Sequence, residues 1–449
     1  MSFRINLSDP CKSQNLHNNT AKYIWLLLVT ILGISILTAG GFSPVPSFAK
    51  EKVTLNALLV EPGDRWEKAL IPMALQNLTA KYPELDIQIN YTILPYNDAR
   101  EQMLKAMNNQ SNIDLISVDQ IWLGEFAEKG YLTDLSNYSK TWGRLSNWYE
   151  SNLDGAVYND KIFGIWAWTD VRSIWFWKDL LNKAGVDPNS LRTWDGYIAS
   201  AKKLNEVLSP EGIQGVELVG GPGSQNEWYP YLWMLGGSIV ESQPNHPSKG
   251  VYWFPSYNSS QGVKALEFFK RLVESGVKPI TINFEKEFAS RKYAVMLGGS
   301  WLPGSFPSLT KQDIEQQIGM IPMFPVPNEN TTTSTVMGGW LLGIPDTSKN
   351  KDLTWELIET MLEPDILSSM LAEYGYLPTQ IPIGEGPYSG ELRKLIPYYD
   401  QLISLIEFGH ARPNIAEYPQ LADHISEAID DVYSGKKQPK QALALPGVR

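Results

Sequence analysis

The sequence predicts an α/β protein built on a parallel, doubly wound sheet. Segments with the period of a strand alternate with segments with the period of a helix over residues 53–118, in the order β-α-β-α-β. The chain has 449 residues, a length that corresponds to two or three domains. Because no long linker separates them, we expect the chain to cross between its domains more than once.

Each predicted element follows from the spacing of its apolar residues. A strand alternates apolar and polar positions, a helix repeats them every three or four residues, and Pro83 ends the first helix. The predicted strands are 53–59, 87–91 and 113–118, and the predicted helices are 66–78, 99–107, 265–273 and 355–362. Trp175 and Trp177 lie in an apolar run and are predicted to belong to the core.

Residues 1–49 have the layout of a secretory signal peptide. A basic start is followed by the uncharged apolar stretch 23–39 and then by the small-x-small site Ser47-Phe48-Ala49. We expect cleavage after Ala49 and export to the periplasm. The alternative is an uncleaved N-terminal membrane anchor, because the apolar stretch approaches the lower length limit for a membrane span.

Composition and motifs exclude several classes of function. The net charge of −11 leaves no basic excess to neutralise phosphates, so we expect no nucleic-acid partner. The single cysteine, Cys11, lies within the predicted signal segment, which removes disulfides and cysteine-ligated metals from the mature chain. His246, His410 and His424 lack the spacing of metal ligands, and no nucleophile-elbow or phosphate-loop motif is present. We therefore expect no cofactor and no metal in the binding site, and an oxygen-ligated calcium with a structural role stays open. We also expect no enzymatic activity, with a glycoside hydrolase as the remaining alternative.

The chain is rich in tryptophan, with 16 residues. Sugars present apolar C–H faces and a rim of hydroxyls, so a sugar site needs flat aromatic rings beside carboxylates or amides. Several tryptophans stand near suitable residues: Asp119 with Trp122, Trp166 and Trp168 with Asp170, Glu227 with Trp228, and Gly339 with Trp340. This pattern favours carbohydrate binding, although a tryptophan taken singly is more often part of a core.

Short motifs follow one another in order along residues 53–445. They are DLISVDQIW (114–122), FAEKGYL (126–132), GIWAWTD (164–170), WFWKDLL (175–181), TWD (193–195), GSW (299–301), GGWL (338–341), LPT (377–379), ARP (411–413) and SGK (434–436). In this order they resemble the family of extracellular solute-binding proteins that feed sugar ABC importers, of the maltose- and trehalose-binding type.

The resemblance implies a fold of two α/β lobes, each a sheet flanked by helices, with the ligand cleft between them. It divides the chain after residue 49 into one lobe of 50–167 and 328–366 and another of 168–327 and 367–449. The implied function is capture of a sugar or sugar-like osmolyte, either a disaccharide or a glucosyl-polyol; trehalose, sucrose and glucosylglycerol are examples. Delivery would be to the transmembrane subunits of an ABC permease, and we expect a monomer.

Positions that match the family's ligand residues are implied to bind the substrate. They are Glu61, Asp119, Trp168, Asp170, Trp301, Gly339, Trp340 and Arg412. The acids would accept hydroxyl hydrogen bonds, the tryptophans would stack on sugar faces, Arg412 would donate to ring oxygens, and Gly339 would let the backbone approach closely. Two alternatives stay open: Asp119 could cap the following helix, and Arg412 could form a structural ion pair.

Two other functions also stay open at this point. An extracytoplasmic glycoside hydrolase would need a pair of carboxylates, and the sequence has many acids but singles out no pair. A binder of another solute class, such as a peptide or a polyamine, is the second alternative. A polyamine site would need a cleft dominated by acids, whereas the cleft predicted here is aromatic with mixed polarity.

Overall fold

The computed structural model describes residues 50–60, 66, 70–246, 250–281 and 284–445. The predicted signal segment 1–49 and the candidate residue Glu61 lie outside this part of the chain. Among the helices of the described residues, none is long and apolar enough to cross a bilayer.

Strands and helices alternate along most of the described chain. The strands are β1 (Glu51–Val60), β2 (Leu85–Leu94), β3 (Leu115–Asp119), β4 (Val157–Tyr158), β5 (Lys161–Ile162), β6 (Ile165–Trp177), β7 (Gln214–Val216), β8 (Val240–His246), β9 (Gly250–Pro255), β10 (Tyr293–Gly299), β11 (Ile318–Ile321), β12 (Thr335–Gly343), β13 (Leu377–Pro378) and β14 (Gly409–His410). The helices are α1 (Ile71–Lys81), α2 (Tyr96–Asn108), α3 (Leu123–Glu128), α4 (Ser136–Trp142), α5 (Glu150–Asp154), α6 (Lys178–Ala184), α7 (Trp194–Leu208), α8 (Gln225–Met234), α9 (Ser260–Glu274), α10 (Phe284–Ala289), α11 (Lys311–Gln317), α12 (Lys351–Met361), α13 (Pro364–Tyr374), α14 (Ile381–Gly384), α15 (Ser389–Leu395), α16 (Tyr399–Ile403), α17 (Tyr418–Tyr433) and α18 (Pro439–Ala442).

The predicted β-α-β-α-β start of the chain is confirmed as β1, α1, β2, α2 and β3. Strands β1 and β3 pair in parallel, with Ala57 opposite Leu115. The apolar stripes predicted further on fall in α9 and α12, which bury most of the expected side chains; Val273 of α9 is half-buried, and Leu362 is buried just after the end of α12.

The main sheet is mixed, so the expectation of a parallel sheet is wrong for its centre. Its strands run in the order β2-β1-β3-β12-β6-β10-β7. Strand β12 is antiparallel to both β3 and β6, and β6 is antiparallel to β10. The parallel prediction was based on the N-terminal segment alone. That segment contains no information about β12, which pairs beside β3 although it lies more than 200 residues later in the chain.

Strand β6 belongs to both halves of the sheet. Its residues up to Val171 pair with β12, and its residues from Arg172 onward pair with β10 and β11. Within this thirteen-residue strand, Asp170 and Arg172 are the partly exposed residues, and the others are buried. A nearly continuous buried run is typical of a strand covered on both faces. The two partly exposed residues therefore mark the point where β6 changes its pairing strand.

The core of the second half of β6 contains the two tryptophans predicted to lie there. Trp175 and Trp177 are buried, and each satisfies its indole N–H with a backbone carbonyl. Trp175 donates to Gly298 at 3.0 Å, and Trp177 donates to Phe288 at 3.1 Å. Satisfying the N–H removes the cost of burying it, so both rings can act as core residues.

The backbone of Gly339 in β12 excludes any larger residue. Its φ of +133° is rarely adopted by residues with a side chain, and an added Cβ would lie 2.3 Å from the carbonyl oxygen of Trp168. The strands can pair at this register because position 339 has no side chain.

We expect Gly339→Ala to lower the free energy of unfolding by about 1–3 kcal/mol from backbone strain alone, with the clash adding to that loss. Gly390→Ala is the matched control, because Gly390 has a negative φ and open space around it. Urea denaturation of both variants measures the difference. Equal stability of the two variants would contradict the strained register.

Candidate ligand-binding site

Strand pairing gathers most of the candidate residues at one place. Trp340 in β12 lies opposite Asp119 of β3 on one side and opposite Trp168 of β6 on the other. Gly338 lies opposite Asp170, at the point where β6 changes partners. Residues directly opposite on neighbouring strands have close side chains, so the pairing alone explains why these positions meet.

Asp119 ends β3 in a buried position with three polar neighbours. Tyr96 donates its hydroxyl to Oδ2 at 3.0 Å, and the backbone N–H of Ile121 donates to Oδ1 at 3.3 Å. The second bond confirms the helix-cap alternative, because Asp119 is the N-cap residue of a short 3₁₀ helix, Gln120–Trp122. Burial raises the pKa of Asp119, and the charge of Arg412 opposes that rise.

The guanidinium of Arg412 lies close to Asp119 and Asp170. Its Nη2 lies 3.9 Å from Asp119 Oδ1, so the ion-pair alternative is also observed. A Cβ built on Gly338 would lie 2.8 Å from Asp170 Oδ2 and 3.0 Å from Arg412 Nη2, which places both groups over that glycine. Burial raises the pKa of Asp170, while Arg172 and Arg412 lower it.

The ring of Trp340 is half-buried and is held by edge contacts. Its centroid lies 5.8 Å from that of Trp122 at 86°, and 6.2 Å from that of Tyr96 at 81°. Tyr96 and Trp122 stack on each other at 5.7 Å. Perpendicular contacts of this kind fix the orientation of a ring at favourable energy. Tyr96 was missed in the sequence because it stands alone in a polar helix start.

Trp168 occupies a different environment from the one expected for a sugar platform. Its ring is 2% exposed and packs against Trp66 at 4.9 Å and Tyr376 at 5.7 Å. The structure therefore places Trp168 in the core, without an open face for a sugar. Sequence proximity to Asp170 could not show this, because the covering residues come from distant segments.

Trp301 contacts Arg172, which lies two residues beyond the candidate residue Asp170 on β6. The guanidinium carbon of Arg172 lies 5.6 Å from the Trp301 ring centroid, within the range of a cation–π contact. Trp301 donates its indole N–H to Glu285 at 3.1 Å, and Arg172 donates to Glu227 at 2.7 Å. Glu227 was noticed in the sequence only beside Trp228, and no signal there pointed to Arg172.

Behind this contact lies a buried pair of acids, Glu217 and Glu227, each 3% exposed. Glu217 accepts from the backbone N–H of Leu297 at 3.1 Å, and one oxygen of each acid has no hydrogen-bond partner among the described residues. Burial raises the pKa of Glu217, and the charge of Glu227 raises it further. Burial also raises the pKa of Glu227, to about 7, against the lowering effect of Arg172.

Comparison with known proteins identifies the family. The model of the family described as bacterial extracellular solute-binding protein matches residues 64–366. The chain belongs to this family. That match supports the sequence resemblance.

Similar proteins agree on the fold and differ in what their names say they bind. A probable amino-acid ABC transporter periplasmic-binding protein of Sinorhizobium fredii is 24% identical, over 80% of each chain. The arabinooligosaccharide-binding protein of Bacillus subtilis is 22% identical, over 81% of this chain and 84% of that one. An ABC transporter solute-binding protein of Thermotoga lettingae, solved bound with α-D-tagatose, is 23% identical with a TM-score of 0.71, covering 88% of this chain and 97% of that one. These similarities confirm the two-lobed periplasmic-binding-protein fold.

The buried acids Glu217 and Glu227 should make the stability of the fold depend on pH. Because the folded protein raises the pKa of Glu217 above its ordinary value of 4.5, the folded state binds more protons than the unfolded state over the pH range above 4.5. The free energy of unfolding therefore falls as pH rises through that range. Glu217→Gln removes the charge, so its stability relative to wild type should increase from pH 5 to pH 8 in urea denaturation.

Glu274→Gln on the exposed surface of α9 is the control for losing one carboxyl from the chain. A stability difference between Glu217→Gln and wild type that stays constant over the same pH range would contradict the buried, proton-holding pair.

Proposed function

We propose that the protein is the extracytoplasmic binding component of an ABC importer and captures a sugar or sugar-like osmolyte. One observation carries the proposal: the half-buried ring of Trp340 lies at the junction of β3, β6 and β12, where the buried carboxyl of Asp119, the partly exposed carboxyl of Asp170 and the buried guanidinium of Arg412 also meet. A flat apolar surface next to acceptors and a donor matches the faces and hydroxyls of a sugar. The relatives named for arabinooligosaccharide and solved with tagatose support the same class of ligand.

Each residue has a definite role in this proposal. Trp340 stacks on one sugar face, and Asp119 and Asp170 accept hydroxyl hydrogen bonds. Arg412 donates to ring or glycosidic oxygens, and Trp301 provides a second apolar surface. Glu61 is proposed as a further acceptor on the resemblance alone.

The lobes proposed are 50–167 with 328–366 and 168–327 with 367–449, and they close on the ligand. The partial exposure of Asp170 and Arg172, where β6 changes partners, supports a boundary near residue 168. A ligand that contacts both lobes only in the closed form shifts the population toward that form. A disaccharide or glucosyl-polyol is the proposed size, because several aromatic surfaces and several polar groups are available. The partner is an ABC permease, and the protein acts as a monomer.

Export to the periplasm is part of the same proposal, with residues 1–49 as a cleaved signal peptide. N-terminal sequencing of the exported protein should begin at or near Lys50. A chain that retains Met1 in the membrane fraction would instead establish the uncleaved anchor.

The central test combines ligand identification with two site variants. A thermal-shift screen of sugars, polyols and amino acids selects the strongest ligand, because a ligand that binds only the native state raises the melting temperature. Trp340→Ala should then weaken binding by about 2–4 kcal/mol, the cost of losing a central aromatic anchor. Asp170→Asn should weaken it by about 1.5–3 kcal/mol, since the amide keeps the shape but loses charge-assisted hydrogen bonds.

Trp142→Ala and Asp195→Asn are the matched controls, because Trp142 is also half-buried but packs against Trp148 and Trp355, and Asp195 is exposed. Titration calorimetry and urea denaturation on all four variants separate binding from stability. Near-native affinity in both site variants would remove the proposed site. If only amino acids raise the melting temperature, the ligand is an amino acid and the proposed sugar ligand is wrong. Hydrolysis of a bound saccharide would favour the glycoside-hydrolase alternative.

A further inference from the structure

Arg172 on β6 is a charged residue without a role in the proposed function. It follows Asp170 by two positions, so the two side chains lie on the same face of the strand. Val171 between them is buried, whereas Asp170 and Arg172 are partly exposed. Thr335 fixes the backbone of Arg172, because its hydroxyl accepts from the N–H at 3.0 Å and donates to the C=O at 2.9 Å. Arg172 is therefore held on the same side of β6 as the candidate residue Asp170.

The guanidinium of Arg172 is hydrogen-bonded at one end only. Its Nη1 donates to Glu227 Oε1 at 2.7 Å, and its Nε has no hydrogen-bond partner among the described residues. The side chain is 13% exposed, and the Trp301 ring covers part of it at 5.6 Å. A guanidinium has five N–H donors, and leaving them unpaired in a largely buried position is costly. An oxygen atom of a ligand is therefore favoured beside Arg172.

Helix α8 holds Arg172 and Arg412 through two neighbouring residues of its first turn. Glu227 pairs with Arg172, and the side-chain oxygen of Asn226 lies 3.4 Å from Nη1 of Arg412. Glu227 is buried, so the pair Arg172–Glu227 is shielded from water. A long side chain that is already fixed by such a bond loses less freedom when a ligand binds. One helix turn thus contacts both guanidinium groups.

Acids and arginines alternate across this region. Their order is Glu227, Arg172, Asp170, Arg412 and Asp119. Burial raises the pKa of Asp170, and both Arg172 and Arg412 oppose that rise. If Arg172 paired with Asp170, it would occupy the carboxylate oxygens that the proposed function assigns to ligand hydroxyls. The negative charge of Glu227 opposes that pairing, because it attracts the same guanidinium to the other side.

We propose that Arg172 is a further ligand-binding residue that donates hydrogen bonds to sugar oxygens, and that Glu227 is the positioning residue that holds Arg172 for this contact. The inference rests on the proposed function and gives the site a second guanidinium donor besides Arg412. Two guanidinium donors and two carboxylate acceptors suit hydroxyl groups, which both accept and donate. A polyamine has only donors when charged, so it would leave both arginines unsatisfied.

The first test removes the guanidinium and measures binding by titration calorimetry. The probes are trehalose, sucrose, glucosylglycerol, maltose and arabinobiose. Arg172→Gln combined with Glu227→Gln removes both charges, which avoids the cost of a buried charge left without its partner. This double variant should bind the tightest probe at least about tenfold more weakly than wild type, a loss of about 1.4 kcal/mol. Arg172→Lys keeps the charge without the planar fork and should lose part of that affinity.

Arg291→Gln combined with Asp179→Asn is the matched control. Arg291 also lies over a tryptophan, with its guanidinium carbon 4.3 Å from the Trp177 ring centroid, and it pairs with Asp179. Trp177 is the last residue of β6, five positions beyond Arg172. The control should therefore keep the wild-type affinity. An equal loss of affinity in the control would show a general effect on the fold and would overturn the inference.

The pH dependence of binding tests the positioning role of Glu227. The charged and titratable groups around it are Arg172 of β6, Glu217 after β7, Glu285 of α10 and the hydroxyls of Tyr197, Tyr231 and Tyr433. Burial raises the pKa values of the three tyrosines well above 10, so these groups stay neutral. Burial raises the pKa of Glu227 to about 7, so this carboxyl takes up a proton as pH falls from 8 to 6.

Protonation of Glu227 removes the charge that holds Arg172 away from Asp170. The affinity of wild type for the tightest probe should therefore fall between pH 8 and pH 6, toward the lower affinity of Glu227→Gln. Glu227→Gln itself should show no such fall. Glu217→Gln should keep the fall, because Glu217 has no hydrogen bond to Arg172 among the described residues.

The outcomes separate this inference from the proposed function, with Trp340→Ala measured alongside. If Trp340→Ala weakens binding but the double variant keeps the wild-type affinity, Arg172 is not a ligand-binding residue and the proposed function stands. If Glu227→Gln keeps the fall in affinity with pH, or if Glu217→Gln abolishes it, the positioning role of Glu227 is wrong. If wild type binds none of the probes, the proposed sugar ligand and this inference are both wrong.

Discussion

The candidate site depends on strand β6, which changes from pairing with β12 to pairing with β10 without a break in its hydrogen bonding. A buried backbone group without a partner is costly, so every N–H and C=O of β6 must be satisfied where β12 gives way to β10. The hydroxyl of Thr335 accepts from the N–H of Arg172 at 3.0 Å and donates to its C=O at 2.9 Å. The N–H of Ser300 donates to the C=O of Val171 at 2.9 Å. With these bonds made, β6 continues, and its partly exposed residues Asp170 and Arg172 lie where it changes partners.

Several charges that are expensive to bury lie around the point where β6 changes partners. Asp119 and Asp170 share Arg412, and Glu227 is paired with Arg172. Removing such groups from water costs several kcal/mol per ion, and the pairing offsets only part of that cost. The raised pKa values of Asp119, Asp170 and Glu227 express the remaining cost. In the proposed function, a ligand rich in hydroxyls would reduce it, because each hydroxyl can donate to a carboxylate oxygen or accept from a guanidinium.

The sequence predicts the local elements well and the centre of the site only in part. Alternation and helical spacing are properties of neighbouring residues, so β1 to β3 and the stripe of α9 could be read directly. The insertion of β12 between β3 and β6 depends on pairing across more than 160 residues and leaves no periodic signal. For the same reason Tyr96, Arg172 and the acid Glu217 were not predicted to be near the site. Motif order selected Asp119, Asp170, Trp340 and Arg412, which the structure places near one another, because the resemblance carries three-dimensional information that spacing lacks.

The two cross-strand tryptophans show why residue type alone does not assign a role. Trp168 and Trp340 are opposite each other on β6 and β12 and therefore lie on the same face of the sheet. Trp168 is enclosed by Trp66 and Tyr376, whereas Trp340 meets its aromatic neighbours only by their edges and stays partly exposed. Truncating Trp168 would thus open a cavity beside Trp66 and Tyr376 and would mainly lower the stability of the fold. Truncating the half-buried Trp340 removes less core packing, so it is the better of the two variants for testing ligand binding separately from stability.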